Sequence, residues 1–130
     1  MISWPIQKAV YAALKVAPAL PVYDEVPPDD TTPYIVLGAM TEVPDDDHSD
    51  LATSETLMLH VWSRATGSKE AKELMADVND RLHQVTLYLT GGGSVRVTRE
   101  FVELSEDEQE PGERWRHGVM RYRVRTQEAV

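Results

Sequence analysis

The densest group of potential metal ligands in the sequence is Asp45-Asp46-Asp47-His48-Ser49-Asp50. Carboxylates at this density are what hard cations such as Ca2+ and Mg2+ select. An EF-hand loop also needs a glycine at its sixth position and an acid at its twelfth; counted from Asp45, those places hold Asp50 and Thr56. The run therefore reads as a solvated acidic loop. His48, His60, His83 and His117 form no HxxxH or HExxH pair, so no zinc hydrolase is spelled out. No serine sits in a Gly-x-Ser-x-Gly elbow, which leaves only a triad assembled in space open. Gly91-Gly92-Gly93 lacks the Gly-Lys-Ser/Thr ending of a phosphate loop and follows a helical pattern, so a hinge is the reading. The absence of cysteine excludes thiol catalysis, disulfides and Cys-held zinc or iron–sulfur groups. No enzyme, cofactor or metal is expected. A small metal-dependent hydrolase built on residues 45–50 stays open, distinguished by tight stoichiometric binding of a divalent ion.

Charge narrows the partners. The chain carries 22 acidic and 13 basic residues, a net charge of −9, the wrong sign for reading nucleic acid. Acid gathers in residues 24–50 and 100–113, whereas Arg114, Arg116, Arg121, Arg123 and Arg125 crowd the far end. Met120, Tyr122 and Val124 alternate with Arg121, Arg123 and Arg125, which puts three guanidinium groups on one face of a strand. Such a stripe could bind phosphates, mate with an acidic surface or sit in water; arginine is enriched at interfaces. With two acidic stretches in the same chain, copies side by side could match stripe to loop. Trp62, like Trp4 and Trp115, is a candidate core residue or interface anchor.

The elements that must position these residues follow from periodicity. A length of 130 residues suits one domain with one core. No apolar run approaches the ~20 residues of a membrane span, and the N-terminus shows no secretory signal, so a soluble cytoplasmic chain without membrane contact is expected. Ile6, Ala9, Val10, Ala13 and Leu14 recur at helical spacing, ended by Pro18 and Pro21. Val22-Tyr23-Asp24 reads as a short strand. Residues 34–39 are apolar on both alternating faces, a strand covered by helices on one side and open to a neighbouring subunit on the other. Residues 41–52, polar and broken by Pro44, read as a long projecting loop.

Beyond it, Leu57, Leu59 and Val61 alternate with Met58, His60 and Trp62, the first set facing the core. Gly67-Ser68 caps a second helix with the stripe Ala71, Leu74, Met75, Val78, Leu82 and Val85; Lys69/Glu73 and Asp77/Arg81 pair on its wet face. A strand from Ser94 to about Leu104 and a last strand, joined by an acidic segment at residues 105–113, complete the order α-β-β-β-α-β-β. The expected fold is α+β: an antiparallel or mixed sheet of about four strands with two helices packed on one face.

The ordered set of Trp4 to Val16, Val22-Tyr23-Asp24, Pro33-Tyr34-Ile35-Val36-Leu37-Gly38, Leu59-His60-Val61-Trp62-Ser63, a helix, and Arg116-His117-Gly118-Val119-Met120-Arg121-Tyr122-Arg123-Val124 resembles the tail-completion, or tail-terminator, family of long-tailed phages, prophages and gene transfer agents. The resemblance spans nearly the whole chain, and each short piece alone is weak. It implies a sheet with helices on one side, no catalytic residues, and a ring, six subunits in the family, on the head-proximal end of the tail tube. The implied partners are tube protein below, a head-completion or stopper protein above, and double-stranded DNA passing through. The implied location is the head–tail junction of a particle assembled in a bacterial cytoplasm. A lumen passed by DNA suits like charge, so Glu42, Asp45, Asp46, Asp47 and Asp50 are the first candidate lining and residues 103–113 the second. Trp62, Arg121, Arg123 and Arg125 are the candidate subunit or partner interface. A head–tail connector or tube-type protein is the alternative, distinguished by stacked polymers in place of single closed rings.

Overall fold

A computed structural model describes residues 3–25, 32–44, 53–108, 112 and 114–127. Eight elements follow one another: α1 (Ser3–Lys15), β1 (Val22–Tyr23), β2 (Tyr34–Pro44), β3 (Thr53–Ser63), α2 (Lys69–Leu82), β4 (Val85–Tyr88), β5 (Ser94–Asp107) and β6 (Trp115–Gln127). The strands form one sheet of six in the order β1-β2-β3-β6-β5-β4, larger than the four or so expected. β1 pairs with β2 in parallel, and every other neighbouring pair is antiparallel.

Three differences from the sequence reading have local causes. Val85 continues the α2 stripe by spacing but belongs to a strand. His83 turns to an extended backbone and Gln84 takes a φ of 58°, which ends the helix and starts β4. The glycine run, with φ between 89° and 109°, forms the turn from β4 to β5 rather than a hinge, closed by the Leu89 N–H donating to the Gly93 carbonyl at 3.0 Å. Residues 41–44 extend β2 instead of opening a loop, because Thr41, Glu42, Val43 and Pro44 pair with Thr56, Glu55, Ser54 and Thr53. Pro44 is tolerated there since β1 pairs β2 only at Ile35 and Val36, leaving the other edge of β2 without a ladder to break. The loop proper, with Asp45, Asp46, Asp47 and Asp50, lies outside the described residues.

Both helices pack on one face of the sheet, as expected. Ile6, Val10 and Leu14 of α1 and Leu74, Met75, Val78 and Leu82 of α2 meet Leu57, Leu59, Val61, Val95, Val97, Met120, Tyr122 and Val124 in one core. Burying a leucine or valine there contributes roughly 1.5–3 kcal/mol each. α1 touches β1 and β4, which are the two opposite edges of the sheet, so the sheet curls around the helices. The Tyr122 hydroxyl, inside this core, is 3.2 Å from Asn79 Oδ1, its hydrogen-bond acceptor on α2.

Two details correct the expected helix chemistry. Ser68 occupies the N-cap position of α2 but makes no side-chain capping bond. Lys69 does meet Glu73 at 3.9 Å. Arg81, however, turns from Asp77 and donates to the carbonyls of Ala13, Leu14, Val16 and Pro18 at the end of α1.

Candidate interaction surfaces

The sheet face turned away from the helices has two chemically distinct halves. In the first, the antiparallel register sets Tyr34 opposite Trp62, Val36 opposite His60, and Trp62 opposite His117. Trp62 stacks flat on His117, centroids 3.9 Å apart and planes 4° from parallel, and Trp115 meets Trp62 edge-on at 5.9 Å. His60 Nδ1 lies 2.8 Å from His117 Nε2, a distance that requires one nitrogen to donate and the other to accept. Burial pushes His60 below its usual 6.5, which favours the neutral ring this bond needs. Gly38 presses on the same imidazole: a Cβ there would sit 2.9 Å from its ring. Arg64 covers Trp115 at 4.9 Å from the ring centroid. Trp62 and Trp115 are therefore packed into their own chain, whereas Trp4 stays 62% exposed at the lip of a groove with Tyr11 and Tyr23.

The second half carries the arginines. Arg121, Arg123 and Arg125 point out of β6, opposite Phe101, Thr98 and Arg96 of β5. A register shift between Arg99 and Phe101 inserts Glu100, whose carboxylate takes the Arg123 Nε at 3.1 Å and Nη2 at 3.0 Å, with Arg121 Nε at 3.9 Å. Sequence reasoning missed Glu100, because nothing in the local pattern announces a one-residue bulge. Arg121 also lies over the Phe101 ring, 5.2 Å from its centroid. Arg96 directly opposite Arg125 is a like-charge pair, unfavourable in an isolated sheet.

The described acidic residues divide differently from the expectation. Glu42 sits in β2, opposite Glu55 on the helix-facing side of the sheet, and not in a projecting loop. Glu55 is 0% exposed, and its oxygens lack a partner in good hydrogen-bonding geometry among the described residues. Burial first, and then the neighbouring Glu42 side chain and its charge, push Glu55 from 4.5 up to about 7. The folded chain thus holds a proton between pH 4.5 and about 7 that the unfolded chain releases. Stability falls as pH rises through that window, and the cost is complete above it. Glu55→Gln, neutral at every pH, is expected to match the parent near pH 4.5 and exceed it by about 1–2 kcal/mol at pH 8. Urea melts of both proteins at the two pH values check this, and a difference that does not change with pH counts against it.

Comparison with known proteins bears directly on this arrangement. The family model for tail completion protein gp17 matches residues 8–127, from the second turn of α1 to the end of β6. The chain belongs to that family. The fold of this tail completion protein matches a chain in the virion of a native gene transfer agent particle, with a TM-score of 0.82 and 23% identity over 98% of each chain. No curated protein matches its sequence. As a family member it is a structural component of a phage-type tail, and none of its helices, among the described residues, is long and apolar enough to cross a membrane.

Proposed function

We propose that this chain closes the head-proximal end of the tail tube as a ring of about six subunits, a structural and non-catalytic role. Family membership over residues 8–127 carries the reading, and the fold shared with a chain of a gene transfer agent virion supports it. The mechanism is geometric. Tube subunits add head-to-tail, a heterologous mode with no intrinsic end. A ring that binds the last tube layer and presents a different upper face stops growth and gives the head-completion or stopper protein its seat. Double-stranded DNA then passes through the lumen, which Asp45, Asp46, Asp47 and Asp50 line, with Glu42 at the base of that segment. Like charge keeps the DNA from adhering.

The test is the absolute mass of the purified protein across a concentration series, with negative-stain images of the protein alone and mixed with tube protein. Closed rings, free or on tube ends, are the expected result, and tubes should stop lengthening once the protein is added. Stacked polymers, or a monomer that leaves tube ends growing, would overturn the reading. On capped particles, exchanging the four loop aspartates for asparagine should slow DNA delivery without loss of the ring.

A further inference from the structure

On each side of the sheet a long strand is covered along only part of its outer edge. β1 pairs β2 at Ile35 and Val36 alone, so residues 37–44 of β2 present an edge without a ladder among the described residues. On the far side, β4 pairs β5 only from Ser94 to Val97. Past the Arg99 N–H, which donates to His83 Nδ1 at 3.0 Å, residues 100–107 of β5 present a second open edge of matching length. Beside this second edge a groove of about 340 Å³ runs between α2 and β5, with Val102, Leu104 and Met120 on its sheet side and Met75 on its helix side. Its charged residues are Lys72, Arg99 and Asp80, a net positive set. The Lys72 and Arg99 side chains make no ion pair or hydrogen bond among the described residues. An open edge beside an apolar groove is a seat for an added strand, whose backbone joins the ladder while alternate side chains enter the groove.

We infer that residues 37–44 of one subunit add to residues 100–107 of the next, so that the sheet runs on from copy to copy. The contact rests on the ring reading and supplies its joint. Three observations select β2 of a second copy as the added strand. The first is direction: β2–β3, β3–β6 and β6–β5 are all antiparallel, so β2 runs opposite to β5. A neighbour set alongside in the same orientation therefore meets β5 in the antiparallel sense of the rest of this sheet. The second is polarity: Met40, which packs against the core, and Glu42 are the side chains this stretch turns to the helix side, where the groove lies. The third is charge. With Met40 opposite Val102, Glu42 arrives beside Arg99, a carboxylate brought to a cation in a net positive groove. Two different edges on opposite sides make a heterologous contact, the kind that closes into a ring when the rotation between copies fits.

The chain has no cysteine, which makes a cross-link a direct test. The same register sets Thr41 opposite Phe101, both on the outer face. A chain carrying Thr41→Cys and Phe101→Cys, assembled on tube ends and mildly oxidised, is expected to give a ladder of covalent oligomers up to the ring size on a denaturing gel. Within one chain β2 and β5 are three strand spacings apart, ~14 Å, beyond the roughly 7 Å between Cα atoms that a disulfide spans. The bond therefore reports contact between copies. Val102→Glu, at a position 39% exposed, should weaken association by about tenfold or more while the chain stays folded. Rings that form without the covalent ladder, a folded Val102→Glu that assembles as the parent does, or cross-linking of either single-cysteine variant to a strand of tube protein carrying its own introduced cysteine overturns the joint while the ring reading stands. A parent chain that never forms rings, even on tube ends, overturns both.

Discussion

Replacing Arg81 with methionine is expected to lower the stability of the fold by about 2–4 kcal/mol, the combined loss of several charge-assisted hydrogen bonds. Its guanidinium reaches Val16 O at 2.6 Å, Leu14 O at 3.0 Å, Ala13 O at 3.3 Å, and also Pro18 O. Ala13 and Leu14 belong to the last turn of α1, whose carbonyls lack intrahelical partners, and Val16 and Pro18 follow the helix; the Leu14 carbonyl also accepts from the Leu20 N–H at 2.9 Å. Arg81 also belongs to the last turn of α2, so the negative ends of two helix dipoles meet around one cation. Removing the cation takes a charged donor from all four carbonyls, of which Leu14 O keeps the Leu20 N–H, and leaves two negative helix ends without their shared charge. Methionine keeps most of the aliphatic packing, so the loss reports the charge and the hydrogen bonds. Arg81→Lys should recover only part, since an ammonium cannot spread planar donors over carbonyls on both sides. Chemical denaturation of the three proteins measures it. A methionine variant within about 0.5 kcal/mol of the parent, the range of an ordinary surface substitution, would show that the contacts contribute nothing.

Gly118→Val is expected to cost about 3 kcal/mol, as overpacking of a filled core does. Gly118 lies in β6 between Val61 of β3 and Leu104 of β5, on the face that carries the helices. A Cβ there would fall 2.6 Å from Met75 Sδ and 2.9 Å from its Cε, well inside van der Waals contact. Methionine is flexible, so Gly118→Ala should cost only about 1 kcal/mol as the thioether swings aside. Valine adds two γ-carbons that the same movement cannot clear, and α2 must lift from the sheet. The signature is coupling: Met75→Ala should destabilise the parent by about 2 kcal/mol or more as a cavity, yet recover part of the loss in the Gly118→Val background. Strict additivity of the two changes would place the cost somewhere other than this contact.

These two sites mark where sequence reading stopped. The alternation of Leu57, Leu59 and Val61 and of Met120, Tyr122 and Val124 is local, and it assigned the inner and outer faces of β3 and β6 correctly. So did the α2 stripe up to Leu82. Val85 was misread because its spacing from Leu82 suits a helix as well as a strand. What ended the helix was the left-handed backbone at Gln84, a residue type with no strong preference for it. Arg81 has Asp77 at the ideal helical spacing, and only the packed structure offers it the carbonyls of α1, more than sixty residues earlier. The His60–His117 contact joins residues 57 apart, and the Glu100 clamp depends on a one-residue shift between strands. The arginine stripe itself was legible by alternation, but its internal partner was not. Glu42 was read as loop because its segment is polar, a property that an exposed hairpin shares.

The order of the strands in space has a consequence for how the subunit is made. β6, which follows all the other described strands in the chain, lies at the centre of the sheet, between β3 and β5. Until residue 127 has left the ribosome, β3 and β5 have no partner to join them, and α1 has only one of the two sheet edges it bridges in place. Synthesis therefore holds the nascent chain in two unjoined pieces with open strand edges, the state in which chains associate wrongly. Closure waits for β6, which joins the two pieces and brings the arginine face into being. The arginine face of the sheet, and the pairing of Arg123 with Glu100, therefore exist only after β6 has been made.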